Sequence, residues 1–101
     1  MKISIIIPCY NEVKTLNLIV EKIINKRNLD KEIIIVDDFS DDGTRDIIKN
    51  ELSEKVTKIL YNDKNYGKGY SVRKGISVST GDIVLIQDAD LEYSPDDYEK
   101  L

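Results

Sequence analysis

The chain lacks several residue types on which common enzyme chemistry depends. Its 101 residues include no histidine and only one cysteine, Cys9. Without histidine, the commonest general base and the commonest transition-metal ligand are missing, so any acid–base or metal chemistry would rely on other groups. One cysteine cannot form a disulfide within the chain, and the composition gives no sign of secretion. We expect Cys9, at the end of the first apolar run, to be a small buried residue.

A surplus of basic residues and long apolar runs are also absent. The chain has 15 Lys and Arg residues against 19 Asp and Glu residues, which gives a formal net charge of −4. Nucleic-acid binding relies on a basic surface, so an acidic chain is a poor candidate for it. The first apolar run, residues 3–8, is too short for a membrane span or a signal-peptide core. We therefore expect a soluble, cytoplasmic chain with one modest core.

Apolar runs alternate with helical patterns along the chain. Unbroken runs rich in β-branched residues predict buried strands, and apolar residues at helical spacing predict helices between them. We expect Asn11 to cap the first helix, and Val72 and Ile76 to share the inward face of the third. Ser94 and Pro95 look like the start of a fourth helix. The strands are predicted over residues 3–7, 32–36, 56–61 and 83–86, and the helices over about residues 13–24, 44–52 and 70–79.

This βαβαβαβ order predicts an α/β fold with a mainly parallel, Rossmann-like sheet, right-handed crossovers and flanking helices. The fourth helical pattern has hardly begun at Leu101. Such an end would suit a short final helix, but a four-stranded parallel sheet normally has both of its faces covered. We therefore expect residues 1–101 to be the front part of a longer domain.

The most informative motif is Asp88-Ala89-Asp90, which directly follows the fourth predicted strand. In an open α/β sheet, ligands bind at the edge where the strands end. Two carboxylates one residue apart at that edge can share a hard divalent cation, which takes its remaining ligands from water and phosphate oxygens. The motif therefore predicts a site for a metal-bound phosphate group.

Polar residues also follow the first and second predicted strands, over residues 8–12 and 37–44. Because parallel strands end at a common edge, these polar groups should converge with Asp88 and Asp90 on one cleft. The plainer alternative is that loops after strands are usually polar, and that Ser40 and Asp41 merely cap the second helix.

Familiar nucleotide and metal motifs do not account for these residues. The chain has no P-loop sequence, and the segment 67–69 lacks the third glycine of a dinucleotide fingerprint. The run from Asp38 imitates an EF-hand loop, but Lys49 stands where a bidentate glutamate is needed. Asp88 and Asp90 resemble the paired aspartates of haloacid-dehalogenase-type phosphatases, although those normally follow the first strand of their domain.

The segment from Asn65 to Gly69 supplies flexible backbone and one cation, Lys68, near a predicted helix start. Backbone N–H groups there would suit an anion, and Lys68 could meet a phosphate as a point charge. A plain surface loop explains the segment about as well.

These ordered motifs resemble the start of a family 2 glycosyltransferase with the GT-A fold, and the resemblance spans almost the whole chain. The matching segments are residues 6–12 (IIPCYNE), 36–44 (VDDFSDDGT), 65–69 (NYGKG), 80–82 (TGD) and 87–93 (QDADLEY). The last segment is most similar to the dolichyl- or polyprenyl-phosphate mannose synthase-like subgroup. Phe39 departs from the glycine that is frequent there, and we expect this change to affect packing more than chemistry.

The resemblance implies a nucleotide-sugar site with a divalent cation, Mg²⁺ or Mn²⁺, held against the diphosphate. With Lys68 added from the loop described above, the expected nucleotide-sugar contacts are Pro8, Tyr10, Glu12, Val36, Asp38, Lys68, Asp88 and Ala89. The implied metal ligands are Asp88, Asp90 and Glu92.

The resemblance also implies a function for the intact protein. It would be a metal-dependent, inverting glycosyltransferase that moves a hexose from GDP- or UDP-hexose to an acceptor such as a polyprenyl phosphate, at the cytoplasmic face of a membrane. The acidic base that activates the acceptor belongs to the second half of such enzymes and has no counterpart here. These 101 residues alone should therefore lack turnover, and their exposed sheet edges should favour self-association.

Two other functions stay open at this point. One is a non-catalytic module that binds a nucleotide or a protein partner. The other is a related nucleotidyltransferase, for which a more basic, glycine-rich segment would be expected after the first strand in place of Tyr10-Asn11-Glu12.

Overall fold

A computed structural model of the chain describes residues 1–90, and they form four strands with helices between them. The first strand is longer than predicted and includes Pro8 and Cys9. The predicted helix start at Ser94 and Pro95 lies outside the described residues. The elements are β1 (Lys2–Cys9), α1 (Leu16–Ile24), β2 (Asp30–Asp37), α2 (Thr44–Ile47) continued by a π-helical turn (Ile48–Leu52), β3 (Lys58–Tyr61), α3 (Lys68–Ser77) and β4 (Ile83–Ile86).

The four strands form one parallel sheet in the order β3-β2-β1-β4, as expected for an α/β Rossmann-like fold. β1 is central, and Ile6 lies opposite Ile34 on β2 and Ile86 on β4. Since all strands run the same way, the loops after β1, β2, β3 and β4 leave from a common edge. This edge carries the residues that the sequence marks as functional.

Each face of the sheet is covered by different helices. Ile5 and Ile7 of β1 belong to the larger core cluster, which packs α1 and the π-helical turn against one face. Ile6, Ile34 and Val36 form a smaller cluster on the other face, beneath α3. Full burial of one such side chain contributes about 1.5–3 kcal/mol, so the larger cluster is the main source of stability.

The inward face of α3 differs from the prediction. Ser71 and Gly75 are its buried residues, whereas Ile76 is exposed and Val72 is half-buried. A Cβ atom at Gly75 would lie 2.6 Å from Cγ2 of Ile6. The helix therefore sits so close to the sheet that only small residues fit between them, and the apolar residues are displaced to its flank.

The start of α1 also differs from the prediction. Thr15, not Asn11, occupies the N-cap position. Asn11 has a positive φ of 54°, and its side chain accepts a hydrogen bond from the Asp41 backbone N–H at 2.9 Å. Asn11 therefore joins the loops after β1 and β2 and does not cap the helix.

A buried carboxylate secures the turn that leads from α3 into β4. Glu32 on β2 accepts hydrogen bonds from Ser4 Oγ and from the Thr80 backbone N–H, both at 2.6 Å, and from Thr80 Oγ1 at 3.0 Å. Lys2 and Lys58 lie 3.5 and 3.8 Å from it. Burial raises the pKa of Glu32, but the hydrogen bonds and the Lys2 charge outweigh burial and lower the pKa from 4.5 to about 2.

The edge strand β4 is exposed although it is apolar on both faces. Ile83, Val84 and Ile86 are about two-fifths exposed, at 42%, 38% and 39%. Within the part of the chain that the structure describes, β4 pairs with β1 alone, so a neighbouring strand covers only one of its two edges. Among residues 1–90, no helix has both the length and the apolarity to cross a membrane.

Candidate functional site

A cavity of about 240 Å³ opens at the edge where the strands end. It collects side chains from the loops after β1, β2 and β4 and from the start of α3. The expected convergence of Glu12, Asp38 and Asp90 on one cleft is therefore confirmed. The lining residues are Pro8, Cys9, Tyr10, Glu12, Asp38, Lys68, Ser71, Asp88, Ala89 and Asp90.

One of the sequence-predicted site residues that the structure describes, Val36, does not line this cavity. Val36 has no exposed surface and packs with Ile6 and Ile34 under α3, so the structure does not support a nucleoside contact for it. Its place in an unbroken apolar strand already favoured burial. Glu92 lies outside the described residues, so its expected role as a metal ligand stays a prediction.

Two lining residues, Cys9 and Ser71, were missed as site residues. Cys9 was predicted to be buried, and it is 4% exposed. Burial and the neighbouring Asp37 carboxylate raise the pKa of its thiol, which disfavours the reactive thiolate form. Ser71 lies in a segment where helical spacing gave no reason to favour it.

Hydrogen bonds join the loops after β1 and β2 into one wall of the cavity. The Asn11 backbone N–H donates to Ser40 Oγ at 2.9 Å, and the Glu12 backbone N–H donates to Thr44 Oγ1 at 3.0 Å. Ser40 and Thr44 thus hold the chain that carries Tyr10 and Glu12, in addition to shaping their own loop. The plainer alternative, that Ser40 and Asp41 merely cap α2, is wrong, because Gly43 occupies the N-cap position of that helix.

Asp37 and Asp38 are neighbours in sequence but do different work. Asp37 is fully buried, and its carboxylate accepts hydrogen bonds from Arg45 Nε and Ser40 Oγ, both at 2.6 Å. The Arg45 guanidinium also lies 5.3 Å from the Phe39 ring centre. These contacts tie Asp37 into the protein, so Asp38 is the member of the pair that faces the cavity.

Asp38 is the anchor for the loop that leads into α3. Its carboxylate accepts hydrogen bonds from the Tyr66 and Gly67 backbone N–H groups at 2.8 and 2.9 Å, and from Asn62 Nδ2 at 2.9 Å. The sequence predicted that backbone N–H groups of this loop would suit an anionic ligand. For Tyr66 and Gly67 that prediction was wrong, because the anion they bind is Asp38.

Lys68 and the loop after β4 form the opposite side of the cavity. The Lys68 ammonium pairs with the Asp88 carboxylate, although the lysine side chain itself is 60% exposed. Thr15 Oγ1 donates to the Ala89 carbonyl oxygen. The start of α1 therefore helps to fix the tripeptide from Asp88 to Asp90 beside the cavity.

The carboxylates at the cavity are the right type of ligand for a hard cation, but they are too few to complete its coordination. Among residues 1–90, no group of three or more acidic or cysteine side chains is assembled as a metal site. Asp88 and Asp90 line the same cavity, and both offer carboxylate oxygens, the ligands that Mg²⁺ and Mn²⁺ prefer. Two carboxylates fit such an ion if water and phosphate oxygens supply the remaining positions.

Known proteins share both the sequence and the fold. The dolichol-phosphate mannosyltransferase of Pyrococcus furiosus is 35% identical over 102 residues, covering 100% of this chain and 29% of that protein. An undecaprenyl-phosphate 4-deoxy-4-formamido-L-arabinose transferase of Yersinia enterocolitica is 33% identical over 106 residues, covering 99% and 32%. The chain thus spans about a third of the length of these curated relatives.

Solved structures of glycosyltransferases share the fold of this chain. The mannosyltransferase PcManGT of Pyrobaculum calidifontis, in complex with GDP-Man and Mn²⁺, superposes with a TM-score of 0.76 and 26% identity, over 87% of this chain and 27% of that one. S. aureus TarS in complex with UDP-GlcNAc gives 0.77 and 26%, over 89% and 27%. These neighbours confirm the expected GT-A-type fold.

A family model described as glycosyl transferase family 2 matches residues 4–101, which is nearly the entire chain. The matched stretch contains every residue that lines the cavity. From its sequence, its fold and the position of its cavity, this chain belongs to glycosyl transferase family 2.

Proposed function

We propose that residues 1–101 are the donor-binding part of a metal-dependent, inverting glycosyltransferase that moves a hexose from a nucleoside diphosphate sugar to an acceptor. The observation that carries the proposal is the cavity at the strand ends, where Glu12, Asp38 and Asp90 meet. Family membership supports the reaction class, and two structural neighbours bind GDP-Man and UDP-GlcNAc.

The two sides of the cavity would contact different parts of the nucleotide sugar. Pro8, Tyr10 and Glu12, on the wall built by the loops after β1 and β2, would contact the nucleoside together with Asp38. Tyr10 is 45% exposed, so its ring is available to a ligand. Asp88 and Ala89 on the opposite side would approach the ribose and the diphosphate.

Asp88 and Asp90, with Glu92 as the third expected ligand, would hold Mg²⁺ or Mn²⁺. When bound, such an ion neutralises the charge that develops on the departing nucleoside diphosphate. Lys68 pairs with Asp88 in the free protein, and it lies where it could turn to a phosphate oxygen once a cation engages the carboxylate. No described residue is assigned as the base that activates the acceptor.

The acceptor is proposed from the relatives. Two of them, a dolichol-phosphate mannosyltransferase and an undecaprenyl-phosphate transferase, are named for lipid phosphates. With a polyprenyl phosphate acceptor, the intact protein would act at the cytoplasmic face of a membrane. We propose that the 101-residue chain binds the donor without completing transfer.

Calorimetry with GDP and UDP, each with and without Mn²⁺, tests the proposal. We expect at least one nucleotide to bind more tightly with Mn²⁺, and Asp90→Ala to weaken metal-dependent binding by about tenfold or more. Asp30→Ala is the matched control, because Asp30 is an exposed aspartate at the start of β2, far along the strand from the cavity. Binding that ignores Mn²⁺, or that survives Asp90→Ala unchanged, would contradict the proposed metal role.

A further inference from the structure

Asn62, the residue that follows β3, is a fully buried polar side chain behind the cavity wall. Its Nδ2 group donates to Asp38 Oδ1 at 2.9 Å and to Ser71 Oγ at 3.0 Å. Its Oδ1 atom accepts from Lys74 Nζ at 3.0 Å. Asp38 and Ser71 both line the cavity, whereas Asn62 does not. Asn62 thus connects two cavity residues from behind.

The orientation of the Asn62 amide follows from its neighbours. An amide has two N–H donors, and here one meets the Asp38 carboxylate and the other meets the Ser71 hydroxyl oxygen. Turning the amide over would place its oxygen against a carboxylate and its N–H groups against the Lys74 ammonium. Two acceptors would then face each other at Asp38, and donors would face donors at Lys74, so only one orientation is stable.

The backbone of Asn62 is held as firmly as its side chain. Its N–H donates to the Asp37 carbonyl at 2.8 Å, and its carbonyl accepts from the Arg45 guanidinium at 2.6 Å. Asn62 therefore has a fixed position relative to β2 and α2. A fixed, buried donor can set the direction of the carboxylate that it contacts.

The hydrogen bonds to Asp38 leave it little freedom. A carboxylate has about four acceptor positions. Asn62 Nδ2 and the Tyr66 N–H occupy Oδ1, and the Gly67 N–H occupies one position on Oδ2. About one acceptor position remains for a ligand, and its direction depends on the groups that hold the other three.

We propose that Asn62 is a positioning residue for donor binding: it holds Asp38 so that the remaining acceptor position of its carboxylate is presented to the nucleoside. This inference rests on the proposed function of the cavity. Asn62 makes no contact with the ligand itself, and its effect on affinity passes through Asp38.

Two substitutions separate positioning from simple packing. Asn62→Asp keeps the size of the side chain but replaces the amide N–H group, a hydrogen-bond donor, by a carboxylate oxygen that repels Asp38. Asn62→Ala removes the side chain altogether. Asn65→Ala is the matched control, because Asn65 is exposed and its amide meets the Asp38 backbone carbonyl, at 3.4 Å, and not the Asp38 carboxylate.

Calorimetry with GDP or UDP and Mn²⁺ supplies the main measurement. We expect Asn62→Asp to weaken binding by about tenfold and Asn65→Ala by less than about twofold. In an Asp38→Ala background, Asn62→Ala should weaken binding by less than about twofold further, because a residue that acts through Asp38 has nothing left to orient. A purely structural role would instead give additive losses.

Amide NMR spectra supply a second reading. The Tyr66 and Gly67 N–H signals report the Asp38 carboxylate and should shift in Asn62→Asp while most other signals stay in place. If neither variant folds, titration of the wild type decides, since the Asn62 side-chain amide signals should move on nucleotide binding and those of Asn28 should not.

The outcomes distinguish this inference from the proposed function. Wild-type chain that binds neither nucleotide would overturn both. Wild-type binding matched by Asn62→Asp, additive losses in the double variant, or Asn62 amide signals that ignore the nucleotide would overturn the role of Asn62 alone.

Discussion

Phe39 carries an unusual backbone for a bulky residue. Its φ is +66°, in the left-handed region that favours glycine, and its ring is 48% exposed. The left-handed conformation costs a residue with a Cβ atom about 1–2 kcal/mol. The ring recovers part of this cost by packing against the Arg45 guanidinium, which the Asp37 carboxylate holds in place. This positive φ explains why glycine is frequent at this position in the family that the chain resembles.

We expect Phe39→Gly to be more stable than Phe39→Ala by about 1 kcal/mol. Both variants lose the ring and its contact with Arg45, so their difference isolates the left-handed backbone. The free energies of unfolding of both variants, measured in urea, test this. Equal stabilities would show that the backbone at this position carries no cost that glycine relieves.

Glu32 acts at the scale of elements, because it links β1 and β2 to the turn between α3 and β4. Its folded-state pKa of about 2 lies below the ordinary value of 4.5. A lowered folded-state pKa means that the ionised group stabilises the fold above its unfolded pKa, and that this contribution is lost as the pH falls. The loss should therefore extend from about pH 4.5 down to about pH 2.

We expect Glu32→Gln to be less stable than wild type at pH 7 by about 1–2 kcal/mol, since charged hydrogen bonds become neutral ones. The difference between the two proteins should shrink as the pH falls from 4.5 towards 2. Unfolding in urea at several pH values measures it, and Glu54→Gln on the exposed surface serves as the control. A difference that is constant with pH would contradict the assigned ionisation of Glu32.

The sequence predicted the elements better than the contacts between them. Strands such as β2 and β4 are visible as unbroken apolar runs, and the shared edge of a parallel sheet was enough to place Glu12, Asp38 and Asp90 together. Helical spacing predicted the wrong buried face for α3, because the pattern takes account of apolar character and not of side-chain size. The close approach of this helix to Ile6 selects for small size instead, at Gly75.

Contacts between residues that are distant in the sequence are a second reason why the site could not be predicted completely. The proposed role of Asn62 depends on long-range hydrogen bonds to Asp38 and Ser71, and no local pattern in the sequence reports such partners. Val36 was placed at the ligand because the family resemblance implied a nucleoside contact for it, yet strand alternation turns it under α3.

At the scale of the whole molecule, β4 forms an apolar edge of the sheet that is built by residues 1–90. Its residues Ile83, Val84 and Ile86 are all substantially exposed, and its outer edge has no paired strand among residues 1–90. An exposed apolar edge strand pairs readily with another strand. We propose that two copies of this 101-residue chain associate through their β4 edges, so that apolar faces and backbone groups are both covered.

We expect sedimentation velocity to show a reversible increase in mass as the protein concentration rises. Val84→Lys should reduce the association by placing a charge on the edge strand, which is how natural edge strands avoid pairing. Leu18→Lys is the matched control, because Leu18 is 53% exposed on α1, away from the sheet edge, and loses the same kind of apolar surface. If association depended on apolar surface in general, both variants would weaken it equally. A strict monomer at high concentration would remove the case for pairing through β4.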